Sequence, residues 1–215
     1  MIDLKAYNLK PILPFLVVVL LSTPLLGLEK GTIFAQLNAI HNPFLDVFFK
    51  NITYLGDASY AVLLLLFFFY KKPFEWPFKF TVGFLIHGFF VHLFKQFLAK
   101  GALRPYSYFS EAGEVEHYLW VEGVSMQLLN SFPSGHTTTV FFFASFMAVY
   151  AQKKRLTYGL VVVATIAALS RVYLGQHWFQ DIYTGALFGC CSTFLAQWIV
   201  DSNPRKWHHN RLQWK

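Results

Sequence analysis

Charge is scarce in this chain. Lysine, arginine, aspartate and glutamate make up 13% of its 215 residues, about half the share usual in a soluble domain. Only 11 residues are acidic, and they do not gather near the histidines, which leaves no carboxylate set of the kind magnesium needs. Cysteine is almost absent. Cys190 and Cys191 are neighbours in one apolar run, and adjacent helical residues do not meet the Cα geometry of a disulfide. They form no metal-ligand spacing either, so they read as packing residues. There is no low-complexity tract and no internal repeat. The net charge is +7, but no basic stripe or recognition motif accompanies it, which argues against a nucleic-acid partner. No segment marks an obligate protein partner.

Apolar residues are abundant instead. They make up 55% of the chain, and phenylalanine alone occurs 25 times. One globular core does not need that much apolar surface. The expected fold class is all-α: a single integral membrane domain, residues 1–215, built as a bundle of six transmembrane helices. A span needs about 20 mostly apolar residues. The candidates are residues 11–28, 52–70, 78–94, 135–151, 157–169 and 182–200. The first could be read as a signal peptide behind Lys5 and Lys10, but Ser22-Thr23-Pro24-Leu25-Leu26-Gly27 offers no small-residue cleavage site. A retained helix is expected there. Between the first two spans, residues 31–51 place Phe34, Leu37, Ile40, Phe44, Leu45, Phe48 and Phe49 near helical spacing. That pattern predicts an amphipathic helix in the membrane interface.

Basic residues orient the bundle. With the N-terminus inside, the inner segments hold Lys5, Lys10, Lys71, Lys72, Lys79, Lys153, Lys154, Arg155, Arg205, Lys206, Arg211 and Lys215. The outer ones hold Lys30, Lys50, Lys95, Lys100, Arg104 and Arg171. This asymmetry predicts both termini on the cytoplasmic side. Three polar clusters then share the outer face.

Those clusters carry the chemistry. Pro133-Ser134-Gly135-His136 precedes an apolar helix, whose free N–H groups suit an anion; an ordinary helix cap is the plainer reading. His177 and Asp181 stand four apart, so a helix would put them on one face. A carboxylate on one imidazole nitrogen leaves the other free to attack; a structural pair at a helix start is the alternative. Arg104 and Arg171 offer planar forks for phosphate oxygens, and Lys95 or Lys100 adds a point charge. Headgroup anchoring explains Lys100 well and Arg171 poorly, since Ser170 and the histidine turn bracket it. Zinc on His136, His177 and Asp181 is the chemical rival, disfavoured by the cations beside them. Asp57, at the outer edge of the second span, reads as a helix cap or as a brace behind the site.

At these residues the chain resembles the type 2 phosphatidic acid phosphatase (PAP2) superfamily of membrane lipid phosphatases, whose site is shared with bacterial class A acid phosphatases and vanadium haloperoxidases. The family's signatures are K-x6-R-P, P-S-G-H and S-R-x5-H-x3-D. The second stands unchanged at 133–136 and the third at 170–181. The first departs: Phe97 occupies the lysine position, and Lys95 gives K-x8-R-P, similar to some lipid A phosphatase-like members. The resemblance covers roughly residues 50–200. It implies that His177 is the nucleophile and becomes a phosphohistidine, that Asp181 orients it, and that His136 protonates the leaving oxygen and then activates water. Lys95, Arg104, Ser134, Gly135, Ser170 and Arg171 are expected on the phosphoryl oxygens, with no metal and no cofactor. The implied protein sits in a bacterial inner membrane with its site on the periplasmic face. Its implied substrate is a membrane lipid phosphate, with lipid A ahead of undecaprenyl pyrophosphate, phosphatidylglycerol phosphate and phosphatidic acid. A lipid phosphotransferase using the same site is the other enzymatic reading, and a non-enzymatic lipid-binding protein the third. The loop 106–132, with Glu111, Glu114, Glu116, Glu122 and several aromatics, is expected to border the entrance.

Overall fold

The computed structural model describes residues 10–70, 72–203, 205 and 209–210. Lys5, Lys71, Lys206, Arg211 and Lys215, used above for orientation, lie outside the described residues. Nine α-helices form among the described residues: α1 (Leu13–Leu21), α2 (Thr32–Asn38), α3 (Pro43–Ile52), α4 (Tyr60–Phe69), α5 (Glu75–Leu93), α6 (Pro105–Glu111), α7 (Gly135–Ala151), α8 (Lys154–Tyr173) and α9 (Phe179–Asp201). No strand is present among the described residues.

Helix α7 is the centre of the bundle. Twelve of its 17 residues are buried, which explains why its sequence is apolar all round rather than striped. In lipid, helices associate through close packing between small residues rather than through water exclusion. Gly185 and Gly189 of α9 supply that contact: a Cβ on Gly189 would lie 2.6 Å from the Thr138 carbonyl oxygen. Phe68, Phe80, Phe142 and Phe146 interlock on the α4–α5 side. On the other side α1 enters through Phe15, which meets Phe141 edge-on. The outward faces keep residues such as Leu20, Leu63, Leu85 and Phe89 exposed, as lipid contact requires.

By length and apolarity the described residues give fewer spans than the six expected. Helical stretches 10–27, 75–98, 154–173 and 179–201 are long and apolar enough to cross a membrane, and the pair Pro43–Gly56 and Tyr60–Phe69, bent by 51°, makes a fifth if it is one span. The expected fourth span forms as α7, whose 17 residues stand at the short end of the range for a crossing helix. The expected second span is shortened because residues 53–56 wind as a 3₁₀ turn and Asp57 closes it. The Asp57 carboxylate accepts from the Ser59 N–H at 2.8 Å, which is the cap-like reading.

The segment 31–51 is two helices, not one interfacial helix. Pro43 cannot donate within a helix, and Asn42 caps α3 by accepting from the Leu45 N–H at 3.0 Å. Both helices rest on the bundle by one face. Phe34 of α2 is buried, and Leu45 and Phe49 of α3 pack on Tyr173 and Leu174. Pro43, Phe44, Val47, Phe48 and Asn51 of α3 are exposed, and no residue of that helix is buried.

Candidate active site

The C-terminal ends of α5 and α8 and the N-terminal ends of α7 and α9 meet at one end of the bundle. Lys95, Arg104, Gly135, His136, Arg171 and His177 thereby line one cavity of about 520 Å³. All three sequence clusters converge there.

His177 is held at both ring nitrogens. Nδ1 lies 3.2 Å from Asp181 Oδ2, and Nε2 lies 3.3 Å from Arg104 Nη1. An ionised carboxylate only accepts and a guanidinium only donates, so the two neighbours fix one tautomer: Nδ1 carries the proton and Nε2 keeps its lone pair. Burial, then Arg104, Arg171, Lys95 and His136, holds the imidazole well below the ordinary histidine range. The ring is therefore unprotonated at Nε2 at neutral pH. The backbone fixes the ring as well, because the Gln176 and His177 N–H groups both donate to the Arg171 carbonyl.

Asp181 does not line the cavity. It sits behind His177 and is 1% exposed. Its Oδ2 accepts from the Ser131 hydroxyl at 2.5 Å and from the Trp178 N–H at 3.0 Å. Asp181 is thus both the orienter of His177 and the acceptor that starts α9. Its backbone carbonyl accepts the Ser134 N–H at 3.0 Å, which ties the second cluster to the third.

Arg104 is clamped by the chain. Its Nε donates to the Leu129 carbonyl and its Nη1 to the Gln176 carbonyl, each at 2.9 Å. Burial pulls its pKa down, and Asp181 opposes that shift. Arg171 donates from Nη1 to the Thr53 hydroxyl at 2.7 Å, while its buried Nε has no partner. A buried N–H left unpaired is costly, and here it belongs to a cavity-lining side chain that suits an anionic oxygen.

Lys95 reaches the cavity from a π-helical turn, Phe94–Leu98, closed by the Ala99 N–H on the Phe94 carbonyl at 2.7 Å. The wider turn re-aims the side chains after Leu93. Lys95 faces inward, whereas Phe97, at the usual lysine spacing, is 73% exposed. Lys100 is exposed and outside the lining.

Two expected phosphate ligands are placed differently. Ser134 and Ser170 are fully buried and do not line the cavity. The Ser134 oxygen caps α7 by accepting from the Thr137 N–H and hydroxyl, and the Ser170 hydroxyl donates to the Ala167 carbonyl at 2.6 Å. Both shape the helix ends that present their neighbours.

Several contributors had no signal in a local motif. Thr53 holds Arg171, Ser131 holds Asp181, and Lys50, Tyr54, Ser125, Gln127 and Gln176 line the same cavity. Gly56 packs on the α7 start so closely that a Cβ there would lie 2.5 Å from the His136 carbonyl oxygen. The loop 118–127 forms the far wall. Asn38 pairs with both backbone groups of Leu119, and Gln176 donates to the Ser125 carbonyl. Three of the loop aromatics, Phe109, Tyr118 and Trp120, gather around Phe34. Glu111, Glu114, Glu116 and Glu122 are exposed. No group of three or more histidine, cysteine or acidic residues able to hold a metal occurs among the described residues.

Comparison with known proteins agrees with this geometry. A family model described as the PAP2 superfamily matches residues 76–205. The Escherichia coli protein YbjG is 36% identical over 102 residues, which cover 44% of this chain and 50% of YbjG. The lipid A 4'-phosphatase of Porphyromonas gingivalis is 29% identical over 168 residues, 73% of this chain and 66% of that protein. The chain therefore spans about half to two thirds of the length of these relatives. The crystal structure of Aquifex aeolicus LpxE superposes with a TM-score of 0.65 at 26% identity, covering 78% of this chain and 93% of that one. The family match takes in every residue from Lys95 to Asp181 that meets at the cavity, and the chain belongs to the PAP2 superfamily.

Proposed function

We propose that this protein is a metal-independent lipid phosphate phosphatase that works through a phosphohistidine on His177. The observation that carries this reading is the imidazole fixed between Asp181 and Arg104, facing a cavity whose charged lining side chains are all cations. Phosphoryl transfer is mainly positioning and charge stabilisation, and fixed lysine and arginine groups can do that work.

In this mechanism Arg104 and Arg171 take phosphoryl oxygens, with Lys95 and the N–H groups at the Gly135 end of α7. Arg104 exchanges its contact with Nε2 for one with phosphate, which frees the lone pair. Nε2 attacks phosphorus, and the bond to the lipid oxygen breaks. His136 gives that oxygen a proton, then removes one from water as water attacks the phosphohistidine. Phosphate leaves, and both histidines return to their starting states. Asp181 stabilises the imidazolium character that His177 gains. Ser134 and Ser170 position the helix ends.

The described basic residues support an outer site. Lys10, Lys72, Lys79, Lys153, Lys154 and Arg155 belong to helix ends opposite the cavity, and positive segments stay inside. The setting is then a bacterial inner membrane with the cavity open to the periplasm. A lipid A phosphate is the favoured substrate, on the Lys95-x8-Arg104 spacing and the Porphyromonas relative. Turnover of a ³²P-labelled lipid, quenched in alkaline detergent, tests the mechanism. A base-stable, acid-labile phosphoprotein is expected in the unaltered chain and absent in His177→Ala. Label that persists in His177→Ala would refute it.

A further inference from the structure

Beyond the ring of groups that surround one phosphoryl, the cavity holds a fourth cation. Lys50 comes from α3, outside all three motifs, and lines the same cavity as His177 and Arg171. Its Nζ donates to the Glu122 carbonyl at 3.0 Å. That single bond leaves two ammonium donors. No acidic side chain pairs with Lys50 among the described residues.

Charge and size both exceed what one phosphate needs. Lys50, Lys95, Arg104 and Arg171 all line the cavity, and no carboxylate side chain does. Asp181, behind His177, offsets one of the four. A phosphate monoester brings about two negative charges, so a second anionic group is needed to balance the rest. The volume of about 520 Å³ is also several times that of a phosphoryl group, in the range of sites that enclose a larger headgroup.

The position sets the distance. Lys50 and Thr53 are three residues apart, so their side chains leave one face of the turn about 5–6 Å apart. The Thr53 hydroxyl is 2.7 Å from Arg171 Nη1. Lys50 therefore stands about one helical turn beyond the group assigned to the reacting phosphoryl. Ser125 and Gln127 line the cavity from the facing loop.

Resting on the phosphatase reading above, we propose that Lys50 forms a second phosphate subsite, which selects lipids carrying another phosphate next to the one removed. The shared chemistry is an adjacent phosphoryl, either the inner phosphate of a diphosphate or a neighbouring phosphodiester. The second phosphate of lipid A lies across a disaccharide and is too distant to use it, so within the phosphatase reading the favoured substrate moves from lipid A to a lipid with adjacent phosphates.

The test has two arms. In the first, binding of inorganic phosphate and pyrophosphate is measured by calorimetry in detergent with EDTA, using the unaltered protein, Lys50→Met and Lys50→Arg. Lys50→Met should weaken pyrophosphate about tenfold more than phosphate, and Lys50→Arg should keep most of the preference. In the second, kcat/KM is measured on a prenyl diphosphate, a prenyl monophosphate, phosphatidylglycerol phosphate and phosphatidic acid. The ratio of two-phosphate to one-phosphate substrates should fall about tenfold in Lys50→Met, chiefly through KM. Whichever two-phosphate lipid shows the fall identifies the source of the second phosphate. Equal losses on all ligands, with a lower melting temperature, would reduce Lys50 to a latch on the Glu122 loop and overturn the proposal; so would no change at all. Lys50-dependent pyrophosphate binding without turnover of any lipid would keep the subsite and remove the phosphatase reading.

Discussion

Gly56→Ala tests whether the 3₁₀ turn 53–56 sets the position of His136. The new Cβ would lie 2.5 Å from the His136 carbonyl oxygen and 3.0 Å from its carbonyl carbon. A carbon and an oxygen rest at about 3.3 Å or more, so the two backbones must part by roughly 0.8 Å. Both obstacles are backbone atoms and cannot rotate away as a side-chain tip could. Thr53 of the same turn holds Arg171, so a shift of the turn moves both an expected acid and a phosphate ligand. A misplacement near 1 Å costs on the order of 100-fold in rate, and overpacking costs about 1–3 kcal/mol. Phosphate release in detergent should fall about 10–100-fold, mainly in kcat, and the melting temperature should drop. Full activity at unchanged stability would show that the contact between this turn and α7 does not position the site.

Four further outcomes follow from the geometry. His177 is neutral in the folded state because burial and its cationic neighbours depress its pKa, so the acid limb of kcat/KM should lie well below pH 6.5; Arg104→Ala should raise the limb, and a limb at or above pH 6.5 in the unaltered protein would contradict the reading. The same depression makes folding favour the deprotonated ring, so stability should rise with pH between the depressed value and about 6.5 and be lost as pH falls through that window; a flat melting profile there would count against it. Ser131→Ala removes a hydroxyl donor from Asp181; a hydrogen bond to a charged group contributes about 1.5–3 kcal/mol, and a fall of about tenfold in kcat with little change in KM is expected, whereas an unchanged kcat would show that Ser131 does not steady the pair. Lys79 sits between Glu75 and Asp201, 2.5 Å from the latter, at the end of the bundle away from the cavity; because both carboxylates are partly exposed, Lys79→Met should cost about 1–3 kcal/mol of stability and leave KM alone, and a raised KM would refute that separation.

The site was legible in the sequence where its groups are packed into short motifs at helix ends. His177 and Asp181 share a turn, so spacing alone brings them together. Lys95, Arg104, His136 and Arg171 stand at helix boundaries, and antiparallel helices carry alternate boundaries to one end. What was not legible acts through tertiary contact. Thr53 and Gly56 meet α7 and α8 from far upstream, and Ser131 reaches Asp181 across 50 residues. Lys50 read as an ordinary outer-segment lysine. Ser134 and Ser170 were expected on phosphate because they belong to the motifs, but each oxygen is already engaged by its own helix. The helices themselves followed the apolar runs. The errors came at breaks: Pro43 with Asn42 split one expected helix, and the 53–56 turn shortened another. The π turn at Phe94–Leu98 explains how the unusual spacing still delivers Lys95; no periodicity announces such a turn.

In the proposed reaction His177 carries the phosphoryl group without help from a metal. This is tested most directly by phosphate release from a lipid phosphate panel in detergent with EDTA, the unaltered protein beside His177→Ala. Release that ignores EDTA and vanishes in His177→Ala is the predicted result. Substantial hydrolysis by His177→Ala, or loss of activity on adding EDTA, would contradict it.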